Sequence, residues 1–349
     1  MLPWKLMLLM EKQTPLLCAL RVNLKGFFAC TNNTYHQRSS MERMYLKHVL
    51  EVTHLTKRFG AFKAVDDISF QVRKGEVFGF LGPNGAGKTT TIKTILDLTH
   101  PDEGSITIEG FDNRLHVKQS KLRIGYLPEN VAFYGNLTAM QNLHFYAEMK
   151  QTGKGQCQQL LDEYGLGDTT NKRVHTFSKG MVQRLGMART ILSNPKILIL
   201  DEPTTGLDAH GVVLIRKKIQ ELKQQGVTIF ISSHILSEIQ AVCDRVAIIH
   251  KGRIVAQDTV TNLSNQLNIK PKIVLELDKM NQDFIEEIKR LSEVDAVHVI
   301  GKMMHVTCKG PAKATVIVSL TNMGATILNL HTMEPTLEEV FMRFTRGDA

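Results

Sequence analysis

The stretch Gly82-Pro83-Asn84-Gly85-Ala86-Gly87-Lys88-Thr89 satisfies the spacing G-x-x-x-x-G-K-[ST]. Glycines in such a loop let backbone N–H groups curl around phosphate oxygens without side-chain interference. Lys88 then places a positive charge on the β- and γ-phosphates, Thr89 offers its hydroxyl to Mg2+, and Thr90 follows in the same set. A second group, Leu198-Ile199-Leu200-Asp201-Glu202, ends an apolar run on two carboxylates. Asp201 is suited to hold Mg2+ directly or through water, and Glu202 to act on an attacking water as base or orienting acceptor. An apolar strand ending in acid can equally be a solvated sheet edge, so this pair takes its meaning from the phosphate loop. A third group is Phe177-Ser178-Lys179-Gly180-Met181, where a serine and a glycine opening a helix offer a hydroxyl and N–H groups to an anion. Taken alone, Ser178 reads as an ordinary helix cap, and His234, after Ile231-Ser232-Ser233, as a structural histidine.

These groups need elements to position them. Val77–Leu81 reads as a buried strand feeding the glycine loop and a helix from Thr89 to about Leu98; Ile197–Leu200, Val227–Ile231 and Val246–Ile249 are further apolar runs of the kind found in parallel sheets. From residue 48 the chain alternates such runs with helical patterns, an α/β arrangement whose ligands collect at the carboxyl ends of strands. Residues 130–190 read as an inserted helical subdomain. After residue 268 the pattern becomes strand (Lys272–Leu277), helix (Asp283–Leu291), a hairpin of Val297–Ile300 and Met303–Cys308 around Gly301-Lys302, helix (Ala312–Met323), strand (Thr326–His331) and a final helix (Thr336–Phe344). That β-α-β-β-α-β order is the ferredoxin-like one.

Composition narrows the class. The 349 residues are 43% hydrophobic and 22% charged, ordinary globular usage and room for two domains. Five scattered cysteines, Cys18, Cys30, Cys157, Cys243 and Cys308, with no C-x-x-C pair, argue for reduced thiols rather than a disulfide framework or zinc site. No apolar run is long enough to span a membrane. Residues 1–50 hold +5 of the net charge of +9, which weakens any inference to nucleic acid. Residues 1–47 are expected to be an N-terminal extension, disordered or preceding the true start near Met41 or Met44; a membrane-surface anchor is the competing reading.

With these motifs in place, residues 48–262 resemble the ATP-binding subunit of an ABC transporter. The expected fold is a P-loop NTPase with an ABC-type helical subdomain, followed by a small α+β ferredoxin-like domain over 268–349. The resemblance assigns Ser178, Lys179, Gly180 and Met181 to the family's signature stretch, with Lys179 and Met181 departing from the usual glycine and glutamine. It makes Asp208, in Gly206-Leu207-Asp208, a dimer-loop contact, and His234 the switch histidine on the γ-phosphate. Phe59 would stack on adenine, with Val65 nearby. Glu129, in Gly125-Tyr126-Leu127-Pro128-Glu129, stands where the family has glutamine, and would join Thr89 and Asp201 around Mg2+.

The resemblance implies two chains, a homodimer or a heterodimer with a related ATPase, sandwiching two Mg-ATP. Glu202 and His234 would serve hydrolysis. A separate integral membrane permease would be the partner, placing the chain on the cytoplasmic face of the membrane, with no nucleic acid involved. The tail Glu334–Phe341 looks like that of drug-resistance exporter ATPases, and Tyr126–Tyr134 more narrowly resembles the ATPase of copper-site maturation of nitrous oxide reductase. The alternative is a non-transport ABC ATPase acting on a soluble macromolecule. A second phosphate loop or a long heptad run would favour that alternative, and neither is present. A P-loop kinase or GTPase would leave the signature stretch and His234 without a role.

Overall fold

A computed structural model describes residues 47–267, 269–308 and 312–346, all within one contact unit spanning residues 40–349. The expectations for residues 1–46 fall outside the described residues. Strands β1 (His48–Phe59), β2 (Phe62–Arg73), β4 (Glu103–Ile108) and β5 (Phe111–Asp112) form an antiparallel sheet in the order β2-β1-β4-β5. The apolar runs form a second sheet: β3 (Val77–Leu81), β6 (Ile124–Leu127), β7 (Ile197–Asp201), β8 (Thr228–Ser233), β9 (Arg245–His250) and β10 (Arg253–Asp258). Its order is β10-β9-β3-β8-β7-β6, parallel except for the β9–β10 pair.

Both faces of this second sheet are covered, which is why its strands read as unbroken apolar runs. Side chains alternate between two cores. Phe78, Phe80, Ile197, Ile199 and Phe230 face the antiparallel sheet, while Val77, Leu81, Leu198, Leu200, Ile229 and Ile231 face the helical side. Between the sheets Phe70, Phe78, Phe80 and Phe230 stack with centroids 5.4–6.1 Å apart. Helix α1 (Lys88–Ile95) sends Ile92 and Ile95 into the same core. It stops short of the expected Leu98 because Asp97 turns left-handed at φ 52°.

The helical segment comprises α2 (Val117–Arg123), α3 (Ala139–Met149), α4 (Cys157–Glu163) and α5 (Lys179–Ile191). Thr138 and Gln141 form a reciprocal capping box at the start of α3. Returning to the sheet, the chain adds α6 (Ala209–Gln224), α7 (Leu236–Gln240) and α8 (Val260–Gln266). Beyond them β11 (Lys272–Leu277), α9 (Gln282–Arg290), β12 (Val294–Ile300), β13 (Met303–Cys308), α10 (Ala312–Asn322) and β14 (Ile327–Met333) form an antiparallel sheet of order β12-β13-β11-β14. This is the ferredoxin-like topology read from the sequence, with its own core on Ile273, Leu275, Met304 and Val316. The last helix, α11 (Leu337–Arg346), buries Leu337 and Val340 in the core of the helical side.

Candidate functional site

The carboxyl ends of β3, β8, β7 and β6 lie side by side, and each delivers one candidate group. From β3 the chain enters the glycine loop. Gly87 sits at φ 109°, and a Cβ there would lie 2.5 Å from the Ala64 carbonyl oxygen, so only glycine fits. Lys88 is 6% exposed. Its Nζ donates to the Gly82 carbonyl at 2.7 Å and the Pro83 carbonyl at 3.4 Å, and lies 3.5 Å from Glu202 Oε1. A buried ammonium needs such partners, and here they are the loop's own carbonyls and one acid.

From β7 come Asp201 and Glu202, 1% and 5% exposed. Ser232 Oγ, from β8, donates to Asp201 Oδ1 at 2.5 Å. Burial pushes the Asp201 carboxyl above the usual range; the Ser232 hydrogen bond opposes this, and the neighbouring Glu202 and Glu129 charges add to it. Glu202 takes a left-handed backbone (φ 50°) and its N–H donates to the Ser232 carbonyl at 3.1 Å. His234, just past β8, brings Nδ1 to 2.8 Å from Glu202 Oε2. Glu202 is thus held through one oxygen by His234, with Lys88 beside the other.

These groups open onto a cleft of about 330 Å³. Of the residues expected from sequence, Pro83, Asn84, Gly85, Gly87, Lys88, Thr89, Thr90, Glu129, Glu202 and His234 line it. Gly82, Ala86 and Asp201 are buried behind the lining. Val65 is fully buried in the core between the sheets, and Phe59 is 54% exposed outside the lining. The aromatic that does line the cleft is Phe62, directly across the hairpin from Phe59. Sequence reading missed Phe62 and Ser232; the signals available were an aromatic two residues past Gly60 and a polar pair ending an apolar strand.

Ser178, Lys179, Gly180, Met181 and Asp208 do not line this cleft; they gather in a second patch, where Lys179 lies against Gly206 and Leu207 lies between Gly180 and the Asp208–Gly211 turn. Ser178 caps α5, its Oγ accepting from the Met181 N–H at 3.3 Å. The Lys179 side chain lies across Gly206, and Asp208 caps α6 by accepting from the Gly211 N–H at 2.8 Å. Gln183 Nε2 donates to the Pro203 carbonyl at 3.0 Å and ties α5 to the turn after Glu202.

Among the described residues no three His, Cys, Asp or Glu side chains group to hold a metal by themselves. Mg2+ is usually held by one or two carboxylates, with phosphate oxygens and water completing its shell. Asp201 fits, as a buried carboxylate that takes one hydroxyl donor and feels the Glu202 and Glu129 charges against the single opposing charge of Lys88.

The family described as "ABC transporter" matches residues 65–205. The linearmycin resistance ATP-binding protein LnrL of Bacillus subtilis is 33% identical over 85% of this chain and 98% of its own length. The bacitracin transport ATP-binding protein BcrA of Bacillus licheniformis is 38% identical over 86% of this chain and 98% of its own. A solved ATP-binding subunit of an ABC transporter superposes with a TM-score of 0.60 at 32% identity, covering 63% of this chain and 94% of the other.

Proposed function

This chain belongs to the ATP-binding proteins of ABC transporters and hydrolyses ATP, and on that premise we propose that two copies close around two Mg-ATP and drive a separate membrane permease that exports its cargo. The observation that carries the composite site is the separation of two patches. Lys88, Glu202 and His234 share one cleft, whereas Ser178 to Met181 lie outside its lining. In a head-to-tail pair the capped start of α5 would meet the phosphates held by the other copy.

Within one cleft, the backbone of Gly82 to Thr90 and Lys88 would hold the phosphates. The hairpin tip at Phe59 and Phe62 would supply a π face for adenine. Thr89, Asp201 and Glu129 would hold Mg2+ with the phosphates; the ion supplies neutralisation of charge on the phosphate oxygens. Glu202 would take or orient the proton of the attacking water, and His234 would fix its carboxylate while reaching the γ-phosphate. Lys88 would exchange Glu202 for a phosphate when nucleotide enters.

Export is favoured by the tail Glu334–Phe341 and by relatives whose names concern linearmycin resistance and bacitracin transport. Among the described residues no helix is long and apolar enough to cross a membrane; the permease would be a separate chain, with this one peripheral on its cytoplasmic face. The stretch Tyr126–Tyr134 favours a second reading, copper-site maturation of nitrous oxide reductase. One experiment separates these readings: pull-down of the tagged full-length Glu202→Gln chain from gently solubilised native membranes, with mass spectrometry of its partners. A polytopic protein should follow the bait, and its identity names the cargo class. Ribosomal or other soluble partners without a membrane protein would overturn the transport reading.

A further inference from the structure

His234 is separated by a single residue from α7, a helix of only five residues. A helix that short does not hold itself in water, so its position must be set by what it touches. At one side Thr204, in the turn after Glu202, donates its hydroxyl to the Glu238 carboxylate. At its end Gln240 Oε1 accepts the backbone N–H of Leu337, 97 residues further along the chain, at 2.9 Å.

That second contact is built into the start of α11. Thr336 and Glu339 cap it reciprocally: the Glu339 N–H donates to Thr336 Oγ1 at 3.2 Å, and the Thr336 N–H to Glu339 Oε2 at 3.3 Å. The Leu337 N–H is another of the donors a helix start leaves without an intrahelical partner, and Gln240 takes it. Beneath it Leu337 and Val340, both fully buried, share one core with Ile239 and Val242 of the α7 segment. Helix α11 is anchored elsewhere by Lys272 Nζ, 2.8 Å from Glu339 Oε1, and by Arg343 Nη1, which donates to the Leu267 carbonyl at 3.2 Å.

We propose that α11 braces the His234 segment, and that Gln240 is a positioning residue for ATP hydrolysis, acting through α7 to keep His234 Nδ1 on Glu202. The inference rests on the hydrolytic role proposed above for His234 and gives the last helix a part in it.

The test is full-length Gln240→Ala beside Gln240→Glu, which retains an acceptor oxygen, each with and without His234→Ala. Single-turnover ATP hydrolysis, KM and Tm are read together. Gln240→Ala should lower the rate about 5-fold, the worth of one net hydrogen bond, with KM unchanged and Tm lowered by no more than about 2–4 °C, and Gln240→Glu should restore the rate. In the His234→Ala background Gln240→Ala should change nothing further, the non-additivity expected of residues acting as one unit. A wild-type rate in Gln240→Ala, or the same loss with His234 already removed, would overturn the brace. The rate of His234→Ala alone checks the underlying site reading, so the two can fail separately.

Discussion

Replacing Glu202 by glutamine should uncouple ATP binding from hydrolysis in opposite directions. The substitution keeps volume and, with the side chain 7% exposed, keeps the packing. It removes the carboxylate proposed above to accept a proton from water, a contribution of about 10²- to 10⁴-fold for a positioned general base. It also removes the negative charge 3.5 Å from Lys88 Nζ. Unit charges at about 4 Å attract by roughly 1 kcal/mol in water and about 4 kcal/mol in a protein-surface dielectric. Lys88 must give up that attraction to reach a phosphate, and the glutamine amide oxygen recovers part of it. Taking the lower figure, ATP should bind the variant about 5-fold more tightly. Equilibrium binding of ATP with Mg2+ and single-turnover phosphate release measure the two effects on one sample. A variant that hydrolyses within 10-fold of wild type, or that binds ATP more weakly, would refute the roles given to Glu202 and Lys88.

Asp201→Asn should unfold at a higher temperature than wild type in metal-free buffer at pH 7. The folded-state carboxyl titrates above its ordinary 3.8, so its charged form subtracts stability fully above the folded value and not at all below the unfolded one. The Tm advantage should therefore shrink as pH falls towards 3.8, which calorimetry across pH reads, while Mg2+-dependent hydrolysis is lost. Glu129→Gln should raise the Mg2+ concentration needed for half-maximal hydrolysis several-fold; an unchanged titration would remove Glu129 from the cation's surroundings.

How much of this was legible in the sequence depends on how far apart the cooperating residues lie. The glycine loop and the Asp201–Glu202 pair are written in consecutive residues, so spacing sufficed. The ferredoxin-like topology was legible because its elements follow one another in separate apolar runs, some of them plainly periodic, as in β11 with Ile273, Leu275 and Leu277 inward. The antiparallel sheet was not anticipated. Its β1 strand is interrupted by register shifts around Val52, Leu55 and Lys57, with His54 left-handed at φ 49°, so apolar residues fall out of alternation. Ser232 on Asp201 and Gln240 on the Leu337 N–H join residues 31 and 97 positions apart, and local spacing carries no trace of either. Phe62 was eclipsed by Phe59 because a resemblance weighs the motif position, whereas the hairpin register puts both rings at one tip.

The composite site built from two copies is the centre of this account, and mixing two inactive variants tests it. Lys88→Ala spoils every phosphate loop and Ser178→Arg every signature stretch, so neither homodimer should hydrolyse ATP. In a mixed dimer both lesions fall in one site and the other is intact. Random pairing in equal amounts should restore about a quarter of the wild-type rate, as symmetric exchange of subunits requires. No recovery on mixing, with both variants folded, would contradict the shared site and place the whole of catalysis within a single chain.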